Sequence, residues 1–515
     1  MSLLVRLVAG GTLVLLTASS ALAQSAADRR ALQACTRAGE GQKAAIDAAI
    51  AACDAVEGRV AGRVSASLHF SRGVALQYLG KLESAIADYD KVLAINPKHA
   101  EALSNRGFAY ATLGQYERSL PDYDASLKLQ PRAYGTYLNR GLSYHELKQY
   151  DKAVADYSMS LKLRPRQADV LYTRGNAYSK LRKQELAMAD YDRAIQLDPK
   201  DARAFYNRGS EFYGLGDYDK AYADLTRAIE LDPKYGYAYG NRGRVLTMQR
   251  HYDRAIADIE KAIEFGPKNA INFAGRGDAY LYKGEYDLAI KDYDTALALN
   301  PQYANAFAYR GWAFSIKGDA ARAMMDFDAA LRLNPDHTAT LRRRGDALLK
   351  AKDYDRAIAD YDRILVNAPA EFEVVILRAN ALMDKEDFAG ALRGYDAAVR
   401  QAPQNSNAWN ARCWLRTVTG DLQPAMADCT ESLRLKPDDP YALDSRGFIY
   451  LKLGQFDNAI ADFTAAVERE PKLATSLYAR GIAKQRKGEN GEADIAAAKA
   501  IKADVAEEVA RYGVK

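Results

Sequence analysis

Histidine is scarce in this chain of 515 residues. Only His69, His99, His145, His251 and His337 occur, far apart and with no two at ligand spacing. A zinc enzyme needs paired histidines or a Cys/His cluster. Metalloprotease chemistry is therefore excluded, and no metal or other cofactor is expected. The chain also lacks charge of one sign. Its 72 basic and 67 acidic residues leave a net charge of +5, spread along the length. Nucleic-acid binders gather Lys and Arg into a stripe or patch, and none is present. No glycine loop suits a phosphate: Gly275 and Gly277 sit in a helical stretch with no strand before them. Hydrophobic content of 48 % and charged content of 27 % are those of a folded, soluble chain.

Long apolar runs are missing too, with one short exception. In residues 1–23 Arg6 is the only charge, Leu13 to Leu16 sit in an apolar stretch, and Ala21-Leu22-Ala23 ends it. That pattern predicts a secretory signal peptide cut before Gln24. A membrane anchor is the other reading, but the stretch is short and broken by Gly10, Gly11 and Thr12. The expected location is periplasmic or secreted, with no membrane span once the signal is removed.

What the chain does have is a period. Arg-Gly occurs at 72–73, 106–107, 140–141, 174–175, 208–209, 242–243, 276–277, 310–311, 344–345, 446–447 and 480–481, with Arg378-Ala379 and Arg412-Cys413 filling the gap. Every step is 34 residues. A small residue follows each glycine column by twelve places, from Ala85 and Ser119 to Ala493. A proline follows by twenty-four, from Pro97 to Pro471, and this column holds 12 of the 15 prolines. Glycine facing a small residue lets two helices approach closely. Proline stops the second helix, because it lacks an amide hydrogen and clashes with the preceding turn. Glycine marks the turn between the two helices at Gly80, Gly114, Gly216, Gly284, Gly318, Gly420, Gly454 and Gly488. Of the 34 tyrosines, 18 fall in three repeating apolar columns, so the aromatic wealth belongs to the core.

With thirteen units in one register, the chain resembles the tetratricopeptide repeat family over nearly all of its expected mature length. The resemblance implies an all-α, right-handed superhelical solenoid of about 13 helix-turn-helix units with end caps. The expected organisation is a signal peptide over 1–23, an N-terminal helical cap over 24–65, the array over 66–507 and a capping tail over 508–515. These segments leave no room for a catalytic domain, and no enzyme activity is expected. One departure stands out. Where the family usually has an aliphatic residue before the small column of the first helix, this chain always has arginine.

Asp lies sixteen residues after that arginine in eleven units; the exceptions are Gly394 and Ala496. The pattern predicts a structural ion-pair ladder, as in Arg106–Asp122, Arg140–Asp156 and Arg242–Asp258. Asp-Tyr-Asp recurs at 88–90, 122–124, 190–192 and 292–294. Residues two apart point to different sides of a helix, so one Asp should face the ladder and the other solvent. Cys413 takes a glycine column and Cys429 an aromatic column of the same unit, which predicts a disulfide across that hairpin. Cys35 and Cys53, in two expected helices over 32–38 and 44–56, fit the same staple. Buried free thiols are the alternative. Residues 504–512 read as a solvating helix with Glu507 and Glu508 outward.

By family resemblance, first helices line a concave face, and its ligand positions lie six and three before the glycine column and one and four after it. Here these include Tyr172, Asn176, Arg203, Tyr206, Tyr213, Tyr237, Arg244, Asp278, Trp312, Asp346 and Trp414. Aromatic anchors among scattered charges suit a protein or peptide segment. The Lys-x3-Asn clamp for chaperone tails is absent, since Tyr172 precedes Asn176 and Ile376 precedes Asn380. The expected function is a scaffold in the cell envelope that holds protein partners. A structural or self-associating solenoid, and a carbohydrate-binding array in polysaccharide export, are the alternatives.

Overall fold

The computed structural model describes residues 30–31, 33–35, 43–266 and 269–514. The signal-peptide reading of residues 1–23, and most of the helix expected over 32–38, lie outside them. Among the described residues every regular element is helical, and thirteen helix pairs follow one another from Gly62–Tyr78 and Leu82–Ile95 to Ala474–Lys487 and Glu492–Ile501. A helix at Lys43–Val56 and a short 3-10 turn at Glu57–Arg59 precede them, and Val505–Arg511 follows. The helices group into two compact units, one ending at residue 267 and the other beginning at 268. The first holds six pairs and the second seven.

The repeat columns set these boundaries. Second helices end two residues before each column proline, as Ile95 before Pro97, Leu163 before Pro165 and Asn367 before Pro369. Inside each pair the chain reverses through one residue with a left-handed backbone. In eight units it is glycine, with φ between 74° and 91°. In the other five it is Lys148, Arg182, Arg250, Lys352 or Glu386, with φ between 57° and 67°. The next amide then reaches back to the first helix, as Lys81 N to Leu76 O at 2.9 Å and Gln149 N to Tyr144 O at 2.8 Å. This closure satisfies carbonyls that a helix end leaves open.

The glycine column is where the two helices meet. A Cβ on Gly141 would lie 2.7 Å from the Tyr157 ring, and one on Gly175 at 2.7 Å from Tyr191. Those tyrosines are at most 1 % exposed, as are Tyr89, Tyr123, Tyr293, Tyr361 and Tyr395. The unit with Ala379 inverts the arrangement. Its facing residue is Gly394, where a Cβ would come within 2.8 Å of the Ala379 Cβ. That close approach explains why this unit has no aspartate at its ladder position.

The last pair corrects the sequence register. Ala493 was expected in the small column and Ala496 in the ladder column. Instead Gly491 packs on Gly481, Ile495 fills the core position, and Asp494 takes the aspartate's place. The second helix, Glu492–Ile501, is shifted by two residues and is shorter than its counterparts. The shift puts a carboxylate beside Arg480, whereas the unshifted register offers alanine.

Candidate partner-binding face

The arginines hold the pairs together in a way the sequence reveals only in part. In eleven pairs the guanidinium Nε and Nη2 each donate to one oxygen of the aspartate sixteen residues later, at 2.5 to 2.9 Å. Arginine is suited to this because its planar fork matches a carboxylate. These hydrogen bonds hold Arg106, Arg140, Arg208 and Arg344 above the usual guanidinium value. The Nη1 group points the other way. It donates to the preceding pair, from Arg106 to Asp90, Arg140 to Asp124, Arg208 to Asp192 and Arg310 to Asp294, at 2.6 to 2.7 Å. The second Asp of Asp-Tyr-Asp, expected to face only solvent, is thus half-exposed but paired. Arg378, with no aspartate ahead, turns its Nε backward instead, donating to Asp362. In the first pair Arg72 reaches Asp54 and Glu57 at 2.6 Å, which ties the Lys43–Val56 helix to the array. The hydrogen bonds from Arg72 and Lys91 hold the Glu57 carboxyl down to about 2.

With the ladder between helices, the remaining columns of the first helices are free to form a surface. In the first unit the structure gathers several sequence-predicted residues on Ala168–Lys180, Ala202–Gly214 and Gly236–Met248. The Arg203 guanidinium lies 4.9 Å over the Tyr172 ring. It is also fixed to Asp201 at 2.6 Å and Asp169 at 2.9 Å. The Tyr206 ring is 6.4 Å from Tyr237 and 5.1 Å from Tyr235. Burial pushes the phenols of Tyr206 and Tyr235 up. Tyr237 remains 56 % exposed. Arg244 stacks on Tyr213 at 4.9 Å. Asn176 accepts from Tyr191 Oη at 2.8 Å and from Asn207 Nδ2 at 2.6 Å, so it serves packing between neighbouring pairs. Tyr235 was missed by sequence reasoning. It stands eight places before its glycine column, where Asp201, Asn269, Asn405 and Asp439 cap their helices. An aromatic in a capping position was the available signal.

The second unit presents different chemistry at the same columns. Asp278 and Asp346 accept from the core phenols of Tyr293 and Tyr361, each at 2.7 Å. Trp312 carries the Arg343 guanidinium 4.1 Å over its ring, with Tyr282 at its edge at 5.7 Å. Burial, with Tyr309 and Asp278 nearby, pushes the Tyr282 phenol up to about 12. Trp414 is not an open groove residue. Its ring is 4.7 Å from Tyr512 and 5.4 Å from Phe448. The solvating helix expected over 504–512 therefore needs correction. Val505–Arg511 lays Val505 and Val509, both fully buried, on the first helices of the last pairs. Glu507 faces outward, but Glu508 is half-buried and accepts from Tyr512 Oη at 2.9 Å. Packing Val505, Val509 and Val514 against the neighbouring helices removes their apolar surface from water, which is favourable.

Cys413 and Cys429 are brought together as their columns imply, with Cα atoms 5.4 Å apart; Cys35 and Cys53 stand at 4.9 Å. All four are fully buried, and both separations suit a disulfide. Among the described residues no cluster of His, Cys, Asp and Glu could hold a metal ion. None of the described helices is long and apolar enough to cross a membrane.

Paired helices recurring at one period and packed each on the next define a helical-repeat solenoid. Tetratricopeptide repeat and TPR repeat families match residues 73–114, 100–133, 141–181, 168–201, 202–235, 225–257, 277–318, 317–372, 376–440 and 440–473. Together these span well over half of the chain, which belongs to the tetratricopeptide repeat family. No curated protein is similar enough in sequence to match. Among solved structures it is similar to a tetratricopeptide repeat protein from Parabacteroides merdae, at 23 % identity over 48 % of this chain and 98 % of that one, with a TM-score of 0.40. It is also similar to yeast Tom70, at 18 % identity over 82 % of this chain and 96 % of that one, with a TM-score of 0.34. A third similarity is to the APC/C hetero-tetramer Cut9-Hcn1, at 14 % identity over 85 % and 93 % of the respective chains, with a TM-score of 0.42.

Proposed function

We propose that this protein is a non-enzymatic scaffold that holds segments of partner proteins on its first-helix face, in the cell envelope after export. Family membership supports the general part of this reading. The observation that carries it further is the tyrosine group around Tyr206. Three rings and Arg203 gather on consecutive first helices, yet Tyr237 keeps more than half of its surface in solvent. Rigid aromatic rings beside fixed charges are the usual anchors of protein interfaces. Export is supported by the apolar start of the sequence and by the two apposed cysteine pairs, which suit an oxidising compartment.

The test is affinity capture from an envelope fraction with the full chain and with a Tyr206→Ala/Tyr237→Ala variant of unchanged helicity. Specific proteins retained by the first and lost by the second are expected. Identical retention by both would remove the face from the proposal. Fractionation of cells, with N-terminal sequencing of the product, tests the export and the cut before Gln24.

A further inference from the structure

The segment from Val505 to Val514 follows the last second helix and shares an apolar cluster with Ala498 of that helix and with Phe448 and Leu477. It turns back over first helices. Tyr512 sits edge-on to both Trp414 and Phe448, at 4.7 and 5.9 Å. Trp414 and Phe448 each lie one place after the glycine column, which is a ligand position of the face. Val505, Val509 and Tyr512 fall at i, i+4 and i+7, one stripe of a helix. The stripe is the part in contact: Val505 and Val509 are fully buried.

We propose that residues 505–514 are a displaceable strap occupying a docking site on the last three helix pairs, and that the site's external ligand is a short amphipathic helix of a partner with the same apolar-x3-apolar-x2-aromatic stripe. This rests on the scaffold reading and names the partner class for one part of that face. The strap reports the ligand because it is already bound. An amphipathic helix laid in an apolar groove is read through such anchors. The strap also opens without disturbing the array. Seven helical residues are too few to hold a helix in water unaided, so on release the segment loses its order while the thirteen pairs keep theirs. Its polar ties are few, one internal from Tyr512 to Glu508 at 2.9 Å and one to the end of the last second helix, from Lys502 to Glu508 at 2.8 Å. What seats it on the first helices is the apolar contact of Val505, Val509 and Tyr512. Such low-stability elements are the ones that open locally.

The experiment uses the full chain, a Tyr512→Asp variant that unseats the strap, and a labelled peptide of residues 503–515 as probe. The peptide is expected to bind the variant about tenfold or more tightly than the unmodified chain, whose own strap competes at high effective concentration. Adding Trp414→Phe to the variant should keep that binding, and adding Trp414→Lys should abolish it. Native-state hydrogen exchange of the unmodified chain gives a second readout. Amides of 505–511 are expected to exchange well before those of Pro440–Lys452. Equal peptide binding by both chains, or no binding by a folded variant, overturns the proposal. So does exchange of 505–511 only with the flanking helices, which marks a fixed cap. Loss of the strap proposal with retained capture through Tyr206 and Tyr237 would leave the scaffold reading standing.

Discussion

Arg242 and Asp258 form a two-pronged pair across their hairpin, Nε to Oδ2 at 2.6 Å and Nη2 to Oδ1 at 2.8 Å. The Arg242 guanidinium also touches Thr226 of the preceding pair at 3.2 Å and lies near the Tyr222 and Tyr239 rings. Removing one partner of such a pair costs about 3–5 kcal/mol when the other is left buried. The two removals differ, because a stranded carboxyl can take up a proton and a stranded guanidinium cannot lose one. Arg242→Met should therefore lower the melting temperature less than Asp258→Leu. Equal losses in thermal denaturation would contradict the pairing account.

The glycine column predicts a steric penalty. Gly141→Ala puts a methyl 2.7 Å from the Tyr157 ring, so either the ring or the helix must move. Overpacking of this kind costs about 1–3 kcal/mol. Urea denaturation should show that loss, and Gly141→Ala with Tyr157→Leu should recover part of it. A double variant no better than the single one would point away from ring contact.

The turns predict a gain. Lys352 has φ of 60°, where the homologous residue in eight other units is glycine. Its side chain belongs to an exposed turn. Lys352→Gly should stabilise by about 1 kcal/mol, the cost of a left-handed backbone at a residue with a Cβ. A lower melting temperature would show that the side chain contributes more than its backbone strain removes.

The cysteine pairs predict a chemical state. Protein from an oxidising compartment should contain no alkylatable thiol after denaturation, and reduction should expose four. Closing loops of this length contributes roughly 3 kcal/mol in the chain-entropy model, so Cys413→Ser should melt lower than the oxidised chain. Four alkylatable thiols without reductant would refute the bridges.

A pH dependence follows from Asp444, which receives the Ser476 hydroxyl hydrogen bond. Burial pushes this carboxyl up to about 7, with Glu508 of the Val505–Arg511 helix adding repulsion. Its folded value lies above the unfolded one, so the folded state holds the proton more tightly. The stabilisation is full below about pH 4 and is lost as pH rises through about 7. Hydrogen exchange of residues 505–511 should quicken from pH 5 to pH 8 beyond the intrinsic base-catalysed increase. Asp444→Asn should flatten that excess; an unchanged excess would assign it to another group.

The thirteen pairs, their turns and their proline stops were readable because one backbone requirement recurs at one spacing. Forward ladder contacts were readable for the same reason. The backward contacts were not, because a single helix viewed alone sends the second Asp of Asp124 and its counterparts toward water. The guanidinium that meets it comes from the next pair. The shifted last helix was hidden by chemistry that fits twice: Gly491 and Ala493 are both small enough for the contact. Only the carboxylate of Asp494 and the bulk of Ile495 decide between them. On the candidate face, Tyr206, Tyr237 and Arg203 were legible by column. The loss of Trp414 to Tyr512 was not, since no periodicity links a final segment to a tryptophan nearly one hundred residues earlier.

Arg140 asks only for a carboxylate sixteen residues ahead and, for its third nitrogen, an acceptor sixteen residues behind, and Arg106 and Arg208 ask for the same. Excision of any 34 consecutive residues within residues 106–265, such as 107–140, restores both offsets at the junction. Tandem duplication of the same stretch does so as well. The number of repeats is thus a quantity that recombination can change one unit at a time, without redesign of the ladder, and the reach of the face can lengthen or shorten with it.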